Sequence, residues 1–112
     1  MKITANNLNR QATLTISGRM DTSATAQATA EIDSQLAACG KFDTLTCDAA
    51  GLEYISSSGL RILLGLAKRY PGFRVTEVCP DVYQVLEMTG FTKIMNVEKA
   101  MRRFSVDGCQ VI

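Results

Sequence analysis

The chain has 112 residues, 46% of them apolar, and twelve basic side chains against eleven acidic ones for a formal charge of +1, which suits one globular domain burying roughly two thirds of the surface its unfolded form exposes. A charge so close to neutral removes the electrostatic footprint of a nucleic-acid or polyanion binder. The complete absence of histidine excludes Ser-His-Asp and Cys-His catalysis, and with no S-x-x-K, P-loop or dinucleotide fingerprint neither an enzyme nor a cofactor is expected.

In chain order, residues 2 to 5 and 12 to 17 are β-prone runs, and the Asn-rich stretch from Asn6 to Arg10 predicts a turn between them. Gly18 to Asp21 closes the second strand, with Asp21 or Thr22 as cap of a helix in which Ala28, Ile32, Leu36 and Cys39 recur at helical spacing and Gly40 marks the stop. Thr44 to Asp48 alternates as a strand, and the chain then passes through Ala49-Ala50-Gly51 into Leu52-Glu53-Tyr54-Ile55. Ser56-Ser57-Ser58-Gly59 stands at a helix entrance. Leu60, Leu63, Leu64 and Ala67 then form an apolar stripe, and Lys68, Arg69 and Tyr70-Pro71-Gly72 end the helix.

Phe73 to Val78 predicts a further strand, and Pro80-Asp81 opens a helix whose buried side is Val82, Val85 and Leu86 and whose stop is Thr89-Gly90. Ile94 to Val97 is a short strand, followed by a last amphipathic helix marked by Val97, Ala100, Met101 and Phe104. The expected class is α/β in the order ββαβαβαβα, a mixed, mostly parallel sheet of about five strands with about four helices and one antiparallel pair from the hairpin.

The start Met1-Lys2-Ile3-Thr4 shows no secretory apolar stretch, and the run from Ile62 to Ala67 falls short of the ~18 residues of a span, so a cytoplasmic protein with no membrane insertion is expected. Cys39, Cys47, Cys79 and Cys109 lie far apart without C-x-x-C and are taken as reduced thiols with no metal.

The segment from Asp48 to Arg61, with Ser56-Ser57-Ser58-Gly59 at its heart, resembles the signature of the STAS family, the domain of sulfate transporters and anti-sigma factor antagonists. The likeness extends to Gly18-Arg19-Met20-Asp21 and to Pro80 through Gly90, and so covers nearly the whole chain. It implies a STAS fold over 1–104 and a regulatory binding module of the anti-sigma-factor-antagonist type. Such modules are phosphorylated on a serine by a partner anti-sigma serine kinase and reset by a phosphatase. The family's Asp-Ser-Ser-Gly falls on Ser56 to Gly59, which places the phosphoacceptor at Ser57. Ser56, where the family has an acid, and Ser58 are secondary candidates.

The first turn of a helix leaves backbone N–H groups unpaired and suits a phosphate; serines there also serve simply as caps. The expected partner surface comprises Met20, Asp21, Thr22 and Ser23, the turn from Ser56, Ser57, Ser58 and Gly59 to Leu60 and Arg61, and Cys79 with Pro80. Two other readings stand beside this one: a constitutive adaptor binding a transporter ATPase, and the regulatory domain of a larger kinase-like fusion. Residues 105–112 are expected to be a tail, either an extra edge strand or a disordered end or, since they resemble the strand that enters a glycine-rich loop in kinase-like domains fused behind some STAS domains, the start of a following domain. On that reading Val111 and Ile112 belong to a domain lost by truncation.

Overall fold

The computed structural model describes residues 1–100. Strands β1 (Lys2–Leu8) and β2 (Gln11–Met20) form a hairpin, and a 3-10 turn (Thr22–Ala24) leads into α1 (Thr25–Ala38). There follow β3 (Thr44–Ile55), α2 (Ser57–Arg69), β4 (Arg74–Val78) and α3 (Pro80–Met88). A second 3-10 turn (Phe91–Lys93) then leads into β5 (Asn96–Lys99). The strands lie side by side in chain order, with β1 antiparallel to β2 and every other pair parallel. The fold is the mixed, mostly parallel α/β sheet expected from the order of elements.

Several boundaries differ from the sequence expectation, each for a physical reason. The hairpin turns on Asn9 and Arg10 alone, both at positive φ (54° and 64°), the backbone pattern that matches the twist of a two-residue hairpin. The Arg10 guanidinium donates to both carboxylate oxygens of Asp43 at 2.9 Å, fixing the turn against the start of β3. Asn6 and Asn7 are strand residues. The Asn7 amide reaches across to the end of α1, donating to the carbonyls of Cys39 (3.0 Å) and Lys41 (2.8 Å).

The two apolar runs before the serines form one continuous strand, β3, against which the register of β2 shifts twice. At the first shift the Asp48 carboxylate accepts from the Ala50 N–H at 3.0 Å, and Gly51 lies so close to β2 that an added Cβ would stand 2.5 Å from that of Ser17. Val97 belongs to β5 rather than to a helix, and Ala100 N–H donates to the Val78 carbonyl at 2.9 Å. Met101 and Phe104 of the expected last helix, the tail 105–112 and Cys109 lie outside the described residues. Among the described residues there are three α-helices.

Right-handed crossovers that all step the same way across a sheet put their helices on one face. The burial pattern agrees. Leu14, Ile16, Leu45, Cys47 and Val75 are buried in a single cluster with Ala28, Ile32 and Leu36 of α1, Leu60, Leu63 and Leu66 of α2 and Val82 and Leu86 of α3. The alternate strand residues Thr13, Thr15, Thr46, Asp48 and Thr76 are only half-buried and line the polar back of the sheet. On α2 the buried stripe is Gly59, Leu60, Leu63 and Leu66, whereas Leu64 and Ala67 are half-buried, because the helix rotates its inward face past the position that a strict i, i+4 count assigns.

Cys47 sits in the middle of β3 with no exposure. Burial, reinforced by the Asp48 carboxylate, pushes its thiol up to about 12. At pH 8 Cys39 and Cys79, both half-buried, are expected to alkylate in the native protein while Cys47 reacts only after unfolding; peptide mapping after timed iodoacetamide exposure measures the order. The same burial carries a pH sign. Above the ordinary thiol value of 9.0 the unfolded chain loses this proton before the folded one does, so the contribution, intact at neutral pH, declines as pH rises from there.

Candidate functional site

The parallel strands β2, β3 and β4 finish at the same end of the sheet, at Met20, Ile55 and Val78. The loop from Met20 to Ser23, the Ser56 to Arg61 turn and the Cys79-Pro80 turn therefore emerge together, where loops of parallel sheets gather functional groups. Met20 pairs with Ile55, and the Ser56 N–H donates to the Met20 carbonyl at 2.9 Å. At the neighbouring crossover the Cys79 thiol stands 3.6 Å from the Leu52 carbonyl oxygen.

The three serines have three different environments. Ser56 is the N-cap of α2: its backbone is extended (φ −89°, ψ 172°), its Oγ accepts from the Gly59 N–H at 3.2 Å, and it is 7% exposed. The cap of α2 is thus Ser56, and neither Ser57 nor Ser58. Ser57 is the first residue of the helix and is exposed, while Ser58 is half-buried. No acidic residue occupies the first turn of α2, whereas Lys68 and Arg69 occupy its last, so the positive end of the helix dipole faces solvent uncompensated beside Ser57. Replacing Ser56 by alanine is expected to cost about 0.5 to 2 kcal/mol through loss of the cap, and Ser57→Ala no more than about 0.5 kcal/mol; urea unfolding of both variants checks the ordering.

Asp21 caps the 3-10 turn rather than α1, accepting from the Ser23 hydroxyl at 2.8 Å and the Ala24 N–H at 3.0 Å. The Ser23 hydrogen bond, together with the Ala24 N–H and the Arg19 charge, holds its carboxyl below the usual range. Helix α1 has no side-chain cap. Thr22, Ser23, Arg61 and Pro80 are exposed, and Asp21 and Cys79 are half-buried.

Met20, Gly59 and Leu60 face inward, with Met20 at 0% and Leu60 at 7% exposure. An added Cβ on Gly59 would lie 2.8 Å from both Met20 Sδ and Ile55 Cγ1. These residues make the floor beneath the end surface, and a partner arriving there would meet Asp21, Thr22, Ser23, Ser57, Ser58 and Arg61. Sequence reasoning missed a feature at this end: Arg19 and Tyr54, register partners on β2 and β3, stack with the guanidinium 4.6 Å from the ring centroid. Tyr54 remains 42% exposed. The signal in the chain that could have found it is an aromatic beside Glu53, out of step with the apolar positions of its strand.

Among the described residues no three potential metal-ligating side chains cluster, and no helix is long and apolar enough to cross a membrane.

The chain belongs to the STAS domain family, whose model matches residues 2–103. Curated protein sequences show no significant match to it. Among solved structures it is similar to an anti-sigma factor antagonist from Mycobacterium paratuberculosis, at TM-score 0.76 and 19% identity over 89% of this chain and 86% of that one. The unphosphorylated form of the anti-sigma factor antagonist SpoIIAA aligns at TM-score 0.67 and 20% identity, covering 86% of this chain and 87% of that chain. A variant of Moorella thermoacetica RsbS aligns at TM-score 0.64 and 20% identity, covering 88% and 87%. At such identities the likeness establishes a shared fold.

Proposed function

We propose that this chain is a regulatory binding module of the anti-sigma-factor-antagonist type, switched by phosphorylation of Ser57 by a partner anti-sigma serine kinase and reset by a phosphatase. It acts in the cytoplasm by occupying a protein partner rather than by catalysis, with residues 1–104 as the module. The observation that carries this reading is the division of labour at the start of α2. Ser56 holds the helix with its hydroxyl buried, which leaves Ser57 as the exposed hydroxyl on the first turn. A phosphoryl group there adds about −1.5 to −2 charges and three acceptors at a helix end that tolerates an anion. The change therefore acts on the partner and not on the fold. Structures of SpoIIAA in unphosphorylated and phosphorylated forms share this fold, which supports the same logic here.

The test is incubation with ATP and candidate serine kinases, followed by intact-mass analysis and site mapping. One phosphate on the wild type, none on Ser57→Ala and one on Ser58→Ala is the expected pattern. Modification of Ser56, or of Ser58 with Ser57 untouched, would refute the assignment.

A further inference from the structure

Among the described residues the surface between α1 and α2 is not closed. A groove of about 270 Å³ lies between them, lined by Ile32, Ile62, Gly65 and Leu66, with Arg61 at the end nearest Ser57. At its other end the Arg69 guanidinium pairs with Asp33 at 3.5 Å. Beyond that pair a second depression, of about 510 Å³, shares both residues and continues past Leu36 to Phe42, Tyr70 and Lys41. The two form one trough. From Arg61 to Tyr70 along α2 it runs about 14 Å at the helical rise per residue, roughly two and a half turns of a docked helix.

We propose that this trough receives an acidic amphipathic helix of the protein partner, extending the contact from the Ser57 end of the domain along the α1–α2 seam. Two independent features argue for such an occupant. Gly65 sits inside α2 where an added Cβ meets nothing within 4 Å. No packing among the described residues therefore explains a residue that weakens a helix relative to alanine, whereas close approach by a visiting side chain does.

The second feature is charge. Arg69 is held by Asp33 and Arg10 by Asp43, while Arg61 and Lys41, at opposite ends of the trough, have no ion-pair partner among the described residues. A largely apolar floor, crossed midway by the Asp33–Arg69 pair, between two unpaired cations is complementary to a helix with an apolar stripe flanked by carboxylates, the helix-in-groove mode of recognition. A second copy of this chain brings the same cations to the same seam. Residues 101–112 carry Arg102 and Arg103 against Asp107 alone. Both are of the wrong sign.

The inference rests on the proposed function in taking the partner to be a protein engaged beside Ser57, but its test needs neither kinase nor ATP. The probes are two synthetic amphipathic peptides of about four helical turns, leucine along one face and either glutamate or lysine along both flanks, titrated into the full chain with backbone amide shifts as readout. Shifts centred on Ile32, Ile62 and Gly65, and an affinity for the glutamate peptide at least about tenfold above that for the lysine peptide, are expected.

Gly65→Met, whose Cβ meets no described atom within 4 Å and whose longer side chain would occupy the trough, should lower that affinity about tenfold with no fall in melting temperature, and Arg61→Glu combined with Lys41→Glu should invert the preference. Equal affinity for the two peptides, shifts elsewhere on the domain, indifference to Gly65→Met, or self-association through this seam would each overturn the proposal. None of those outcomes would bear on whether Ser57 is phosphorylated.

Discussion

Ser57→Asp should bind the partner of the unphosphorylated protein about a hundredfold more weakly than wild type, a loss of roughly 3 kcal/mol, while unfolding no more easily. The two halves of this result have separate causes. On the folding side, the first turn of α2 contains no acid, and a carboxylate added there interacts favourably with the helix dipole by about 0.3 to 1 kcal/mol. On the binding side, the exposed side chain lies on the surface proposed to dock, which association would desolvate, so a new charge opposes it. Titration calorimetry of Ser57→Asp, Ser57→Ala and wild type separates charge from loss of the hydroxyl, with Ser57→Ala expected close to wild type. Equal affinity of all three would instead identify a constitutive adaptor.

The second large effect is expected beneath that surface. Met20→Ala should destabilise the fold by about 2 to 5 kcal/mol, because Met20 is fully buried and its thioether fills the space against Gly59. Removing it leaves a void under the first turn of α2, so the variant should also loosen Ser56 and Ser57. Urea unfolding of Met20→Ala beside the exposed neighbour Thr22→Ala, expected within about 0.5 kcal/mol of wild type, provides the measurement. A cost for Met20→Ala below about 1 kcal/mol would mean that α2 does not rest on this residue.

Much of the architecture was legible in the chain because local signals agreed with it: Pro80 and Asp81 at the start of α3, Gly90 at φ 83° just beyond its end, and the alternation of Leu14 and Ile16 or Leu45 and Cys47. The failures came where tertiary contacts override a local preference. Asn6 and Asn7 carry turn chemistry, yet strand pairing takes them and the Asn7 amide serves the end of α1. Burial along β3 passes from Ala49 to Leu52 to Ile55 at intervals of three, which looks like an interruption until the bulges against β2 are seen.

At the site itself, the serines were identifiable as a helix entrance, but which of them caps depended on where β3 ends. That in turn follows from the pairing of Ile55 with Met20. Met20 continues the inward series Ala12, Leu14 and Ile16 across Gly18; the glycine hides that continuity and makes Met20 look like a loop residue.

Because all three described helices stand on one side of the sheet, its two faces can be engineered separately. The back presents polar rows that cross the strands in register, such as Asn6, Thr13, Thr46, Arg74 and Asn96. Thr13 and Thr46 contribute β-branched stiffness to the strands without belonging to the apolar core. A fluorophore, a surface tether or a crosslinker attached through this row would report on the protein from behind, leaving the serine rim and the helical seam open to whatever they engage.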